Sequence, residues 1–235
     1  MTAQGIKSII RIEAVPESIE IDLRKTAVIV VDMQNAFISK GGYFDLIGTD
    51  ISSNRKIIGA CKNVINEARL KGATILYLRM ALSQDLSDVG SQDSPSYRKS
   101  RILPLINKSP ELKEKIYLDG SWGAEIIDDL KPDPADIVIK KQRYDGFIGT
   151  NLDIILRTRQ IKYLLFVGVA TNVCVESTLR HAFFLDYFPI LLSDAVSQKG
   201  SDPIQEATIY NTQSLFGWVS TSENILESIR SAPAQ

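Results

Sequence analysis

The sequence predicts an α/β protein of three layers, a mostly parallel sheet with helices on both faces. Two observations carry this. Short strand-like apolar runs alternate with helical stretches along nearly the whole chain, as in repeated βα units. The first of these runs, Thr26 to Asp32 (TAVIVVD), is apolar at successive positions, as suits a strand buried on both faces. With 235 residues and 44% hydrophobic content, the chain is also long enough to close one sizeable core.

In chain order, Thr2 to Ser18 is mixed and polar, so residues 1–20 read as an N-terminal arm ahead of a single domain over 21–235. After the first strand, Asn54 to Lys71 has helical periodicity, with Ile57, Ile58, Cys61, Val64 and Ile65 on its apolar side and Gly72 closing it. Thr74 to Met80 is the second strand. Residues 83–120 are polar and irregular, with Ser-Pro and Lys/Arg clusters. That is too long for a plain connection and reads as an insertion: a lid, a binding loop or a subunit contact. Ala124 to Leu130 is expected to be a short helix, and Asp136 to Lys140 (DIVIK) the third strand. Asn151 to Arg159 is helical, capped by Asn151 or Thr150. Tyr163 to Val169 is the fourth strand, and the helix that carries Cys174 runs to about Leu185. Ile190 to Asp194 is the fifth strand, followed by a helix from about Pro203. A short strand, Trp218 to Ser220, and a helix, Ser222 to Ile229, complete the set.

The formal net charge of −1 gives no field to draw nucleic acid or an anionic membrane. No apolar run reaches transmembrane length, and the N-terminus lacks the basic-then-apolar pattern of a signal peptide. Two cysteines form no disulfide framework, which points to a reducing, cytoplasmic compartment. Cys61 reads as a buried, inert thiol. The single histidine, His181, falls inside a predicted helix as an interfacial or solvated residue. It has no ligand-type neighbours for zinc and is poorly placed for a Ser-His-Asp triad. No metal or cofactor is expected, and the chemistry must proceed without imidazole.

Three βα junctions carry reactive side chains. Asp32 ends the first strand, Lys141 the third, and Cys174 follows the fourth. In a parallel sheet these ends share the carboxyl edge, where open α/β sheets bind ligands. A thiol near a helix N-terminus has its thiolate favoured by the dipole and the free N–H groups. A carboxylate can take its proton, and an ammonium can lower its pKa. Singly, an Asp at a strand end also reads as a turn former and a Lys there as solvated. The set is what carries the chemistry.

The pattern Val31-Asp32-Met33-Gln34-Asn35-Ala36-Phe37, then Lys141, then Gly168-Val169-Ala170-Thr171-Asn172-Val173-Cys174-Val175, resembles the isochorismatase-like cysteine hydrolases. The resemblance spans Thr26 to Ser222. Within that superfamily it is nearest the ureidoacrylate amidohydrolases of pyrimidine degradation, through Gly41-Gly42-Tyr43, Gly120-Ser121-Trp122, Arg143-Tyr144, Gly146-Phe147, Gln205-Glu206-Ala207-Thr208 and Phe216-Gly217-Trp218-Val219. It implies a six-stranded sheet, a catalytic set of Asp32, Lys141 and Cys174, and a cis peptide at Val169–Ala170. The Ala170 and Cys174 amides would form the oxyanion hole. It implies a homo-oligomer, dimer or tetramer, acting on a small amide or ureido compound through a thioester-type intermediate. Candidate substrate contacts are Phe37, Met80, Tyr144 and Asn172, with Phe37 and Tyr144 equally readable as core or lid aromatics. Departures fall at Met80, where those enzymes carry an amide-recognising Asn, at Asp145, where a small residue is usual, and at Phe37, where a tyrosine can stand. Biuret-, carbamoylsarcosine- or nicotinamide-type amidases are alternatives, as is a non-catalytic binding protein on the same fold. Isochorismatases proper act on a vinyl ether without need of a cysteine, so Cys174 argues against that reaction.

Overall fold

The computed structural model describes residues 9–231. Its strands are β1 (Ile9–Ile12), β2 (Ile19–Asp22), β3 (Thr26–Val31), β4 (Thr74–Met80), β5 (Ile137–Lys141), β6 (Tyr163–Val169), β7 (Phe188–Ser197) and β8 (Trp218–Ser220). The last six form one all-parallel sheet in the order β5-β4-β3-β6-β7-β8. The chain starts at β3 in the middle, builds outward to β5, returns to β6 and builds outward the other way. The strand order therefore reverses between β3 and β6, and a crevice at the carboxyl edge is expected there.

Every residue of β3 is buried, and its side chains alternate between two cores. Val28 and Val30 pack with Cys61, Val64, Ile65 and Ala68 of the helix Ile58–Leu70 and with Ile225 and Ile229 of the helix Ser222–Ser231. Ala27, Ile29 and Val31 face Leu152 and Leu156 of the helix Leu152–Thr158 and Leu179 and Ala182 of the helix Glu176–Phe184. These two apolar layers are what fix the carboxyl edge in place, at roughly 1.5–3 kcal/mol for each large side chain fully buried.

Several elements differ from the sequence expectation for identifiable reasons. The first eight residues lie outside those described, but the rest of the stretch read as an arm folds into the antiparallel pair β1–β2. Ile10, Ile12, Ile19 and Ile21 alternate inward and join the core beside Ile225 and Ile229. Val15 and Val219 exchange backbone hydrogen bonds of 2.9 Å, covering the free side of edge strand β8. The helix expected over Asn54–Lys71 is broken at Ile57 into Ser52–Lys56 and Ile58–Leu70. Ala124–Leu130 is not a helix. Single 3₁₀ turns at Trp122–Ala124 and Asp128–Leu130 flank an extended link, because Glu125 and Ile127 bond instead to Asn35 and Met33 just beyond β3. β7 outruns its predicted Ile190–Asp194, since after a register shift Val196 and Ser197 pair with Gly168 and Val169. At the cap of Leu152–Thr158 it is Thr150 whose hydroxyl accepts from Leu152, at 3.2 Å.

Candidate active site

Asp32 and Cys174 converge where the strand order reverses, on a cavity of about 140 Å³, with Lys141 buried behind Asp32. Lys141 closes β5 and is fully buried; Asp32 follows β3 and is 2% exposed. Lys141 Nζ lies 2.9 Å from Asp32 Oδ2 and also donates to the Arg143 carbonyl at 3.2 Å. Asp32 Oδ1 accepts from the Met80 amide at 3.0 Å. Its backbone has φ 50°, a left-handed conformation that Asp tolerates better than most residues. The carboxylate is thus held at both oxygens, one by a cation and one by the neighbouring strand.

Cys174 reaches the same cavity from a wide π-type turn, Thr171–Val175, that precedes the helix Glu176–Phe184. A plain helix start was expected; here the Ala170 carbonyl instead accepts both the Val173 and the Val175 amides, at 3.0 and 3.2 Å. The Val169–Ala170 peptide is cis. Gly168, at φ +112°, allows the close approach: a Cβ there would lie 2.2 Å from the Val31 carbonyl oxygen.

The electrostatics correct one expectation. Burial, reinforced by the Asp32 carboxylate, pushes the Cys174 thiol well above its ordinary pKa, and the opposing effect of Lys141 is too small to reverse this. The resting sulfur is therefore a neutral thiol, against the thiolate expected from a helix terminus and a lysine. Lys141 stays an ammonium: burial opposes its charge, but the adjoining Asp32 carboxylate counters that and its pKa is raised.

The remaining predicted contacts separate. Phe37, Met80 and Tyr144 line the cavity with Asp32 and Cys174. Phe37 is also buried against Phe44 and Tyr117, and Tyr144 is 55% exposed at the mouth. Met80 Sδ sits 3.8 Å from Lys141 Nζ. Asn172 is not on the wall: its side chain donates to the Lys199 carbonyl at 3.2 Å and accepts from the Lys199 amide at 2.8 Å, bracing the loop after β7. Asp145 also turns away. It pairs with His181 Nδ1 at 2.5 Å and accepts from the Phe147 amide, so His181 is tied to a carboxylate outside the cavity.

Sequence reading missed several wall residues. Lys99, Ser100, Arg101 and Tyr117 come from residues 83–120, which cover this chain's own cavity. Arg143 fastens that insertion by donating to the Asp88 carbonyl at 2.9 Å. A second, more apolar cavity of about 230 Å³ shares Met80, Lys99, Tyr117 and Tyr144 with the first. Burial raises the pKa of Tyr43 to about 12 and that of Tyr117 well above the ordinary phenol value, so both keep their phenol protons. Gln34 is buried and missed too. It donates to the carbonyls of Met80 and Ala124 at 2.8 and 2.9 Å and accepts from the Met80 amide, which locks the strand end that holds Asp32. A glutamine two residues past a strand-end aspartate was the only sequence signal.

A buried Asp–Lys pair thus lies beside a thiol at the switch point of a parallel sheet, the place where open α/β sheets bind ligands. Residues 26–224 match the isochorismatase domain, and the chain belongs to that family. It is 46% identical over 213 residues to the ureidoacrylate amidohydrolase RutB of Caulobacter segnis, covering 91% of this chain and 89% of that one. It is 43% identical over 223 residues to the enzyme of the same name from Rhizobium rhizogenes, covering 95% and 91%. Among solved structures, a cysteine hydrolase from Pseudomonas syringae pv. phaseolicola superposes with a TM-score of 0.76 at 26% identity, over 99% of this chain and 100% of that one. An N-carbamoylsarcosine amidase from Thermoplasma acidophilum gives 0.63 at 27% identity, over 85% and 97%. The protein is accordingly an amidohydrolase, acting on carbon–nitrogen bonds other than peptide bonds.

Proposed function

We propose that the enzyme hydrolyses a C–N bond of a small linear ureido or amide compound, of the kind ureidoacrylate represents, through a covalent intermediate on Cys174. The carrying observation is the buried Asp32–Lys141 pair opening onto the cavity that holds a neutral Cys174. As the sulfur attacks the carbonyl carbon, its proton passes to Asp32. The Ala170 and Cys174 amides receive the developing oxyanion. The C–N bond then breaks and Asp32 delivers the proton to the departing nitrogen. Water adds to the S-acyl carbon, Asp32 takes its proton, and the sulfur leaves and recovers a proton from Asp32. Lys141 keeps Asp32 aimed throughout. The 46% identity to an enzyme named for ureidoacrylate supports that substrate over the biuret-, carbamoylsarcosine- and nicotinamide-type alternatives.

The same reading places residues 83–120 as a lid and the enzyme in the cytoplasm, in pyrimidine degradation. It also makes the enzyme a homo-oligomer, which the exposed apolar group Phe183, Phe184 and Leu215 supports. No helix among the described residues is long and apolar enough to cross a membrane. Product release from ureidoacrylate and a panel of amides and ureas, with intact-mass detection of a Cys174 adduct, tests the mechanism. Loss of turnover and adduct in Cys174→Ala is expected; undiminished turnover in that variant overturns it.

A further inference from the structure

Three cations meet at the cavity without an anionic partner among the described residues. Lys199, on the loop after β7, is only partly exposed, and its Nζ lies 4.8 Å from the Phe44 ring centroid, a weak cation–π contact. Lys99 and Arg101 approach the same space from the insertion. The one carboxylate on the wall, Asp32, is already engaged by Lys141 at 2.9 Å. The crowding is felt: burial and then Arg101 lower the Lys199 pKa, opposed by Cys174. Like charges gathered in a small, partly dry space raise one another's energy, and an anion entering it relieves them.

Lys199 is also held with unusual care. Asn172 grips its backbone at both the amide and the carbonyl, and Asn172 sits in the turn between Ala170 and Cys174. One side-chain amide therefore ties the Lys199 backbone to the turn that carries the nucleophile. This gives a polar residue of that turn a task that needs no contact with substrate.

We propose that Lys199, backed by Arg101, anchors a carboxylate of the substrate, so that the enzyme selects ureido acids over neutral amides and ureas, with Asn172 as the positioning residue. The proposal deepens the reading of the site as a ureido hydrolase and rests on it. The decisive comparison is 3-ureidoacrylate against its methyl ester, in wild type, Lys199→Met, Lys199→Arg and Asn172→Ala. For the acid, Lys199→Met should raise KM roughly 10- to 100-fold, the worth of one hydrogen bond to a charged group, with little change in kcat. Ester turnover should stay as in wild type and shows that the variant is folded. Lys199→Arg should recover part of the loss, and Asn172→Ala should show a smaller rise in KM for the acid only. Equal effects on acid and ester, or none on either, overturn the anchor. If wild type turns over neither compound, the ureido reading fails. The anchor is then decided by calorimetric binding of fumarate, which should be lost in Lys199→Met; equal binding to both proteins overturns it.

Discussion

Replacing Lys141 by Met removes the charge but keeps most of the side chain's length and volume, so its effect isolates the buried ion pair. Lys141 and Asp32 have side-chain exposures of 0% and 3% and a 2.9 Å contact. Deleting one partner strands the other charge in an almost fully buried site, at a cost of about 3–5 kcal/mol. That is a large part of the roughly 5–15 kcal/mol that holds a typical domain together. Asp32→Asn should cost a similar amount by stranding the ammonium, although its side-chain oxygen can still accept from the Met80 amide and Asn tolerates a φ near 50°. The double variant leaves neither charge behind. It should therefore be more stable than the sum of the single losses predicts, by about 2–3 kcal/mol. Urea denaturation of the four proteins, followed by intrinsic fluorescence, measures this directly. All three variants should be inactive. A loss under about 1 kcal/mol in Lys141→Met, or strict additivity in the cycle, would refute the claim that this pair is buried and mutually dependent.

Other expectations follow from the same geometry. Gly168→Ala puts a Cβ against the Val31 carbonyl at a positive φ, so the β3–β6 junction must shift; a lowered Tm with activity lost faster than secondary structure is expected, by calorimetry and circular dichroism. Ile21→Ala should cost about 2–5 kcal/mol in urea denaturation, since the side chain is fully buried in the hairpin core; a loss near zero would return that segment to a dispensable arm. Burial raises the Cys61 pKa to about 12, well above its unfolded 9.0, so the neutral thiol's stabilisation is complete below pH 9 and lost as pH climbs toward 12. Its share of the fall is about 1.4 kcal/mol per pH unit in that window, and Cys61→Ala should show a shallower alkaline decline in Tm. Met80→Asn, which adds an amide at the cavity wall beside Lys141, should increase ureidoacrylate kcat/KM; no increase would mean that position does not set specificity.

The sheet was legible because its strands are apolar at consecutive positions and its reactive residues fall at strand ends. Asp32, Lys141 and Cys174 needed only the rule that parallel strands share a carboxyl edge. The alternation of Ile10 with Ile12 and of Ile19 with Ile21 was equally present in the sequence, but charged residues between them made the segment look like a tail. The ionisation of Cys174 was hidden, because a helix terminus and a lysine are local features, whereas the burial that overrides them comes from the whole chain. Asn172 illustrates the opposite failure: its position in the nucleophile turn suggested substrate contact, yet its amide is spent on a loop 27 residues away. Lys99, Arg101 and Lys199 could not be assembled from sequence, since an irregular insertion and a strand-end loop supply them separately.

A neutral resting thiol changes what the proposed triad must accomplish. Were the sulfur already a thiolate, Lys141 would be its counter-ion and Asp32 would only hold the lysine. With the thiol pKa raised, attack has to be coupled to proton transfer, and Asp32 is the acceptor built into the cavity. Because the thiol is a weak acid here, removing its proton is favourable only when the sulfur is forming a bond and the oxyanion is held by the two amides. Reactivity then depends on an electrophile seated correctly. In that light the cations at the mouth complement the inner site: they concentrate and orient an anionic substrate, while the inner pair adds no net charge that would repel it. The same coupling predicts that Cys174 reacts slowly with simple alkylating agents at neutral pH and that a carboxylate-bearing electrophile labels it much faster. Competition between iodoacetamide and iodoacetate, read by intact mass, decides this: faster labelling by the uncharged reagent would contradict both the neutral-thiol mechanism's dependence on seating and the cationic character of the mouth.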